Sequence, residues 1–417
     1  MNYIEFTKQK ISSFLSTVEM VKGLDFPYRH ARDAVERIEL QTKSLKKDIQ
    51  NLSESSDKST AITLCTETHS HITNYSDALG LIARACDVRS PLELRGPFLR
   101  LTHKALGIQA KLILSAEWRF SPFTDLYPDQ FGNEFVIVGL PIFEADNPLI
   151  APLAGHELGH NIWKLLPPIQ GLLTQALYDD VRNQIKNLHS LEFERIFNIK
   201  TETLTTQESL IKTEPVDVAV SWANLQCEEM FCDFIGLCIF RESYLHAFSY
   251  LLSPGIESLR NPSYPNMQDR VNALMHAATD MKITAPSTIK EDIVTEAHPT
   301  EPSQQLLLRL SDSAAKKQIP SLIKIAKNFC EKKGLVPIDE ANIKHILNHF
   351  KKLVPATGAK DLSSILNASW LLYLDPNREW LSKYEELKQE DRRTQLIKDL
   401  TLKSFEILEI EKLQEAK

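Results

Sequence analysis

GHELGHN, at residues 155–161 of a chain of 417 residues, carries the pattern H-E-x-x-H. In a helix, His156 and His160 lie one turn apart on the same face, where both imidazoles can bind one metal ion. Glu157 then lies beside that ion and can accept a proton from a water molecule bound to it. The stretch therefore predicts a helix with a zinc site and a hydrolytic reaction.

The neighbouring sequence favours a buried helix beneath a strand. Residues 135–138, Phe-Val-Ile-Val, predict a strand because they are β-branched or aromatic. Pro148 and Pro152 interrupt the chain just before the motif. Four apolar residues give the helix a face for the core: Leu153, Leu158, Ile162 and Trp163. A zinc helix packed under a strand suits a cleft that binds an extended peptide.

A catalytic zinc site has three protein ligands and one open position for water. The metzincin extension, H-E-x-x-H-x-x-G-x-x-H, is absent from this chain. Trp163 stands at the position of its glycine, and Leu166 at the position of its last histidine. The third ligand must therefore come from a more distant part of the chain.

Residues 222–236 contain two acidic residues one helical turn apart, Glu229 and Asp233. Both stand among apolar residues, where carboxylates without partners are costly to bury. A zinc ion would satisfy one of them, and a zinc-bound histidine would satisfy the other by donating its second N–H. We therefore predict Glu229 as the third ligand and Asp233 as the residue that orients a zinc histidine. Glu228 is an alternative ligand, or an acidic residue exposed to solvent.

H-E-x-x-H followed by E-x-x-x-D-x-x-G, whose glycine is Gly236, resembles the gluzincin pattern of thermolysin-like zinc peptidases. The resemblance covers roughly residues 135–275 and is specific at these two motifs. It implies that Glu229 is a zinc ligand and that Asp233 supports a zinc histidine. His-Glu-Leu-Gly-His also occurs in smaller bacterial peptidases that cleave phage repressors, so the motif leaves the subfamily open.

The family implies that Glu157 is the general base and returns its proton to the leaving amine. Gluzincins usually add a donor that stabilises the oxyanion. The chain offers four candidates: Tyr244, His246, Tyr264 and Arg270. Residues 261–270 resemble a Pro-containing, Arg-ending segment of HtpX-like gluzincins, although Tyr264 stands where a histidine is common there. We predict catalytic roles for His246, Tyr264 and Arg270; the alternative for each is packing on a helix or a surface ion pair.

Composition argues against several other classes of protein. The formal net charge is −7, which disfavours a nucleic-acid partner because phosphate contacts need clustered Lys and Arg. The first residues contain no apolar signal segment, and no apolar run approaches the ~20 residues of a membrane-spanning helix. We therefore expect a cytoplasmic protein with no membrane partner, unlike the HtpX-like peptidases. The 6 cysteines contain no C-x-x-C pair and are expected to be buried, reduced thiols.

The length allows two or three domains. The patterns predict a mainly α fold with a small β-sheet (α+β), in which a gluzincin-type zinc-peptidase core is flanked by helical N- and C-terminal regions. The predicted parts are a helical N-terminal region, 1–110; the core, 111–292, with a helical insertion at about 170–215; a Pro-rich linker, 293–304; and a helical C-terminal region, 305–417. Residues 112–114 and 135–138 are the predicted strands, and one of them is expected to line the cleft and pair with substrate.

The leading functional hypothesis is a soluble endopeptidase with Zn²⁺ as cofactor, Glu157 as general base, and a protein or peptide as substrate. One alternative is a non-catalytic helical interaction module with a structural zinc site, which would have no use for Glu157. A second alternative restricts the peptidase to one dedicated target or to itself. The helical flanks would then bind a regulatory protein partner, although such helices more often pack on the body of the protein.

Overall fold

The structure is a computed structural model that describes most of the chain. The described residues are 3–26, 29–52, 58–87, 92–117, 123–124, 134–141, 144, 146–201, 214–252, 260–286, 289, 296–297, 299–336, 339–376, 384, 387 and 389–415. The residues outside this set include 202–213 of the predicted insertion and 293–295 and 298 of the predicted linker.

Four helices form the N-terminal part of the described chain. They are α1 (Tyr3–Lys22), α2 (Arg29–Gln50), α3 (Lys58–Asp87) and α4 (Leu92–Leu106). In α2, Val35, Ile38 and Ile49 are buried while charged residues occupy the other faces, which is the pattern of an amphipathic helix packed on a core.

A small sheet follows these helices. Strand β1 (Lys111–Glu117) pairs in parallel with β3 (Phe135–Pro141), and the short β2 (Phe123–Thr124) pairs antiparallel with β3. Ile113 lies opposite Ile137 in the parallel register, and both are buried. Strands that are buried on both faces have continuous apolar runs, which is why residues 112–114 and 135–138 predicted them. Both predicted strands are confirmed.

The remaining elements are helical and follow a 3₁₀ turn at Pro148–Leu153. They are α5 (Ala154–Trp163), α6 (Pro167–Leu188), α7 (Ser190–Phe197), α8 (Glu214–Phe240), α9 (Glu242–Leu252), α10 (Met267–Asp280), α11 (Pro302–Lys317), α12 (Ile319–Lys332), α13 (Glu340–Lys351), α14 (Leu362–Tyr373) and α15 (Glu390–Glu415). The prediction of a mainly helical fold with a small sheet is confirmed. None of the described helices combines the length and the apolar character that crossing a membrane requires.

The chain divides into two compact units. The first comprises Met1–Pro148, Leu353–Leu362 and Glu386–Lys417, and the second comprises Leu149–Lys352 and Ser363–Glu385. In the first unit, helices α1 to α3 share a buried apolar cluster with β1 and β3. In the second, α8 is central and packs against α5, α6, α10, α11 and α12, so apolar residues occupy most of its circumference. The domain boundaries predicted from the sequence stay a prediction.

Candidate metal centre

The two predicted motifs lie on neighbouring helices, α5 and α8, whose backbones approach closely. A Cβ atom at Gly159 would lie 2.6 Å from Cys232 Cα, and one at Gly155 would lie 3.0 Å from Gly236 Cα. Distances this short leave no room for a side chain, so glycine is required at the contact. Gly155 faces Gly236, whereas Gly159, which comes later in α5, faces Cys232, which comes earlier in α8. The two helices therefore run antiparallel. This close crossing brings the polar side chains of both motifs together.

His156, His160 and Glu229 form a cluster that can hold a metal ion. One ligand atom from each residue lies within 4.8 Å of those from the other two. Nε2 of His156 lies 3.3 Å from Oε2 of Glu229, and Nε2 of His160 lies 3.7 Å from Oε1 of Glu229. The fold therefore brings together the three residues that the sequence predicted as ligands, two from α5 and one from α8.

The surroundings of Glu229 test whether a cation fits here. The residue is 9% exposed, and its buried Oε2 atom accepts no hydrogen bond of good geometry from the described residues. Its polar neighbours are Nε2 of His156 at 3.3 Å and Nη2 of Arg270 at 3.8 Å, and a buried carboxylate oxygen with no well-formed hydrogen bond is costly. A cation between this oxygen and two imidazole nitrogens would remove that cost. Two histidines and one glutamate are also a donor set of catalytic zinc sites.

Asp233 contacts the first histidine, as predicted for an orienting residue. Its Oδ1 atom lies 2.7 Å from Nδ1 of His156, and it also accepts hydrogen bonds from the Tyr244 hydroxyl at 2.7 Å and from the Arg270 guanidinium. Burial raises the pKa of Asp233, but the charge of Arg270 and the contact with His156 outweigh burial and hold that pKa well below its usual range. Asp233 is thus a fixed anion that accepts the Nδ1 proton of His156 and leaves Nε2 for a metal.

Glu228 makes the equivalent contact with the second histidine. Its Oε1 atom lies 2.9 Å from Nδ1 of His160. This contact was not among the roles predicted for Glu228, which were metal ligand and solvent-exposed residue. Spacing alone did not select Glu228, because the fourth residue back from Asp233 is Glu229 and the fifth is Glu228.

Glu157, the predicted general base, is buried on α5 with 4% exposure. Burial raises the pKa of its carboxyl group above the ordinary value, although the charges of His156 and His160 oppose the rise. A raised pKa suits a carboxylate that takes up a proton and returns it near neutral pH.

Of the four candidate oxyanion donors, Tyr244 on α9 and Arg270 on α10 both contact Asp233 at the cluster. Arg270 makes two of these contacts. Its Nε atom lies 2.7 Å from Oδ2 of Asp233 and its Nη2 atom lies 2.9 Å from Oδ1. Nη2 is also 3.8 Å from Oε2 of Glu229, and the guanidinium lies over the ring of Phe248. The arginine therefore neutralises acidic residues behind the histidines, and its predicted role towards substrate stays a prediction.

His246 and Tyr264 have other surroundings. His246 on α9 stacks on Trp370 with ring centroids 5.3 Å apart, and burial lowers its pKa. Tyr264 precedes α10 and is 43% exposed, and its backbone carbonyl accepts a hydrogen bond from the buried Arg260. The catalytic roles predicted for these two residues stay predictions.

The described cysteines are buried, free thiols. They are Cys65, Cys227, Cys232, Cys238 and Cys330. Burial raises the pKa of the Cys227 and Cys232 thiols on α8, which disfavours the thiolate form that binds metals. The prediction that the cysteines are buried and unpaired is confirmed for these five residues.

Comparison of the chain with protein-family models, curated proteins and solved structures finds no significant match. The class of protein must therefore be inferred from the residues of the chain itself. The most informative residues are His156 and His160, with Glu229, whose carboxylate faces both rings. Asp233 and Glu228, which contact the Nδ1 atoms of the two histidines, add to this evidence.

Proposed function

We propose that the chain is a zinc-dependent endopeptidase of the gluzincin type. The observation that carries the proposal is the convergence of His156, His160 and Glu229 on one position, with Glu157 on the same helix as the histidines. Structural zinc sites are usually closed by four protein ligands, whereas catalytic sites use three and leave a position for water. Within the described part of the chain, no fourth His, Cys, Asp or Glu joins this cluster, which favours the catalytic type.

Zinc is the proposed metal because imidazole nitrogen and carboxylate oxygen together suit it. When bound, zinc supplies a Lewis acid that lowers the pKa of water to about 7. Glu157 accepts the proton of the attacking water and returns it to the leaving amine. Asp233 accepts the Nδ1 proton of His156, which would leave Nε2 of that ring to hold the metal, and Arg270 keeps Asp233 ionised.

The proposed substrate is a peptide bond of a protein or peptide. The helical regions on either side of the core are the proposed surfaces for a dedicated target or a regulatory partner. We also propose a cytoplasmic location, which the five cysteines described as free thiols support because reduced thiols persist in that compartment. The net charge of −7 supports the proposal that nucleic acid is not a partner.

The experiment is to incubate the zinc-loaded chain with a panel of unfolded proteins and to identify fragments by mass spectrometry. Glu157→Gln is the matched control, because glutamine keeps the shape of the side chain and the three ligands but cannot act as a base. Cleavage by the native chain and not by the variant supports the proposal. Equal cleavage by both proteins would contradict it, and cleavage of one protein in the panel would indicate a dedicated target.

A further inference from the structure

We infer that Glu228 is a positioning residue that holds His160 for the metal, as Asp233 holds His156. The inference deepens the proposed function and rests on it. It assigns one carboxylate to each of the two metal-binding histidines, so that neither ring depends on packing alone for its orientation.

The ring nitrogens of each histidine face two different carboxylates. Nδ1 of His160 lies 2.9 Å from Oε1 of Glu228, while its Nε2 lies 3.7 Å from Oε1 of Glu229. In His156 the corresponding distances are 2.7 Å to Asp233 and 3.3 Å to Glu229. A carboxylate that accepts the Nδ1 proton fixes the tautomer in which Nε2 carries a lone pair, and this tautomer binds a metal through Nε2.

The two rings are nearly perpendicular and use separate acceptors. The ring planes of His156 and His160 meet at 82°, with centroids 5.0 Å apart. The Nδ1 atoms of the two rings contact different carboxylates, Asp233 for His156 and Glu228 for His160. Glu228 lies in the direction that His160 requires.

The two positioning carboxylates differ in their surroundings. The Asp233 side chain is 0% exposed and also accepts hydrogen bonds from Arg270 and Tyr244. The Glu228 side chain is 23% exposed. Replacing Asp233 leaves buried donors unpaired, whereas replacing Glu228 leaves that network intact. Glu228 is thus the residue at which positioning can be measured separately from folding.

The experiment measures the zinc affinity of the full chain by competition with a chromophoric chelator. Glu228→Ala is expected to weaken binding by about 10- to 100-fold, the usual effect of removing a carboxylate behind a zinc histidine. Glu228→Gln is expected to lose less, because its amide oxygen still accepts the Nδ1 proton. Glu214→Ala is the matched control: Glu214 is an exposed carboxylate about 20 Å earlier on α8, and its removal changes the net charge equally.

Two further readouts separate positioning from folding. The Co²⁺-loaded Glu228→Ala variant is expected to show an altered visible absorption spectrum, because the ring of His160 is no longer fixed. Its thermal unfolding without metal is expected to match that of the native chain.

Three results would overturn the inference. Native zinc affinity and a native Co²⁺ spectrum in Glu228→Ala would remove the role of Glu228 and leave the proposed peptidase intact. A Glu228→Gln variant as weak as Glu228→Ala would contradict the hydrogen-bond mechanism. A native chain that binds no zinc would overturn the metal site and, with it, both proposals.

Discussion

Arg270 donates two hydrogen bonds to Asp233, from Nε at 2.7 Å and from Nη2 at 2.9 Å. The contact places a buried cation directly behind the carboxylate that holds His156. Without it, Asp233 would be a buried anion compensated only by neutral donors and an imidazole. The geometry of the candidate metal centre and the stability of its helices therefore depend on the same ion pair.

Asp233→Asn is expected to destabilise the metal-free chain by about 3–5 kcal/mol, because Arg270 is left buried without its ionic partner. Urea unfolding measures this loss. Asp217→Asn is the matched control, since Asp217 lies on the same helix and accepts a hydrogen bond from Tyr178 at the surface. The control is expected to cost about 1 kcal/mol or less. Equal effects of the two substitutions would contradict the role of the buried pair.

The same ion pair predicts a dependence on pH. Because the folded state depresses the pKa of Asp233, its stabilising contribution is complete above the pKa of the unfolded chain, near 4, and is lost as the pH falls through the folded value. The difference in unfolding free energy between the native chain and Asp233→Asn is therefore expected to shrink below about pH 4. Urea unfolding in a chelating buffer at a series of pH values tests this. If the difference in unfolding free energy between the two proteins grew as the pH fell, the proposed role of ionised Asp233 would be contradicted.

Gly159→Ala tests the close crossing of α5 and α8. The new Cβ would lie 2.6 Å from Cys232 Cα, so we expect a loss of about 1–3 kcal/mol in unfolding free energy and weaker metal binding. Gly171→Ala in α6 is the matched control, because its Cβ would meet no atom within 4 Å. That substitution is expected to stabilise the chain by about 0.5–1 kcal/mol through helix propensity. If Gly159→Ala left the unfolding free energy unchanged, α5 and α8 could move apart without a loss of stability.

The parts of the site that follow from local spacing could be predicted from the sequence. His156 and His160, like Glu229 and Asp233, are four residues apart, and this spacing alone places each pair on one helical face. Glu228 could not be assigned in the same way. Neighbouring residues on a helix point about 100° apart, and the rotation of α8 against α5 decides which one faces which histidine.

Other features required information that no local pattern contains. Tyr244 and Arg270 meet Asp233 from two further helices, so their convergence depends on tertiary packing. The apolar runs of β1 and β3 predicted two strands but not their parallel pairing. Segments that follow α13, Leu353–Leu362 and Glu386–Lys417, join the first compact unit, a long-range arrangement that periodicity does not encode.

Zinc content and peptide cleavage, measured on the same preparations of the native chain, Glu157→Gln and Glu229→Ala, decide whether the chain is a zinc peptidase. We predict one zinc ion per chain in the native protein and in Glu157→Gln, strongly reduced zinc in Glu229→Ala, and cleavage by the native protein alone. A native chain without zinc, or a Glu157→Gln variant that cleaves as fast as the native chain, would contradict the proposed zinc peptidase.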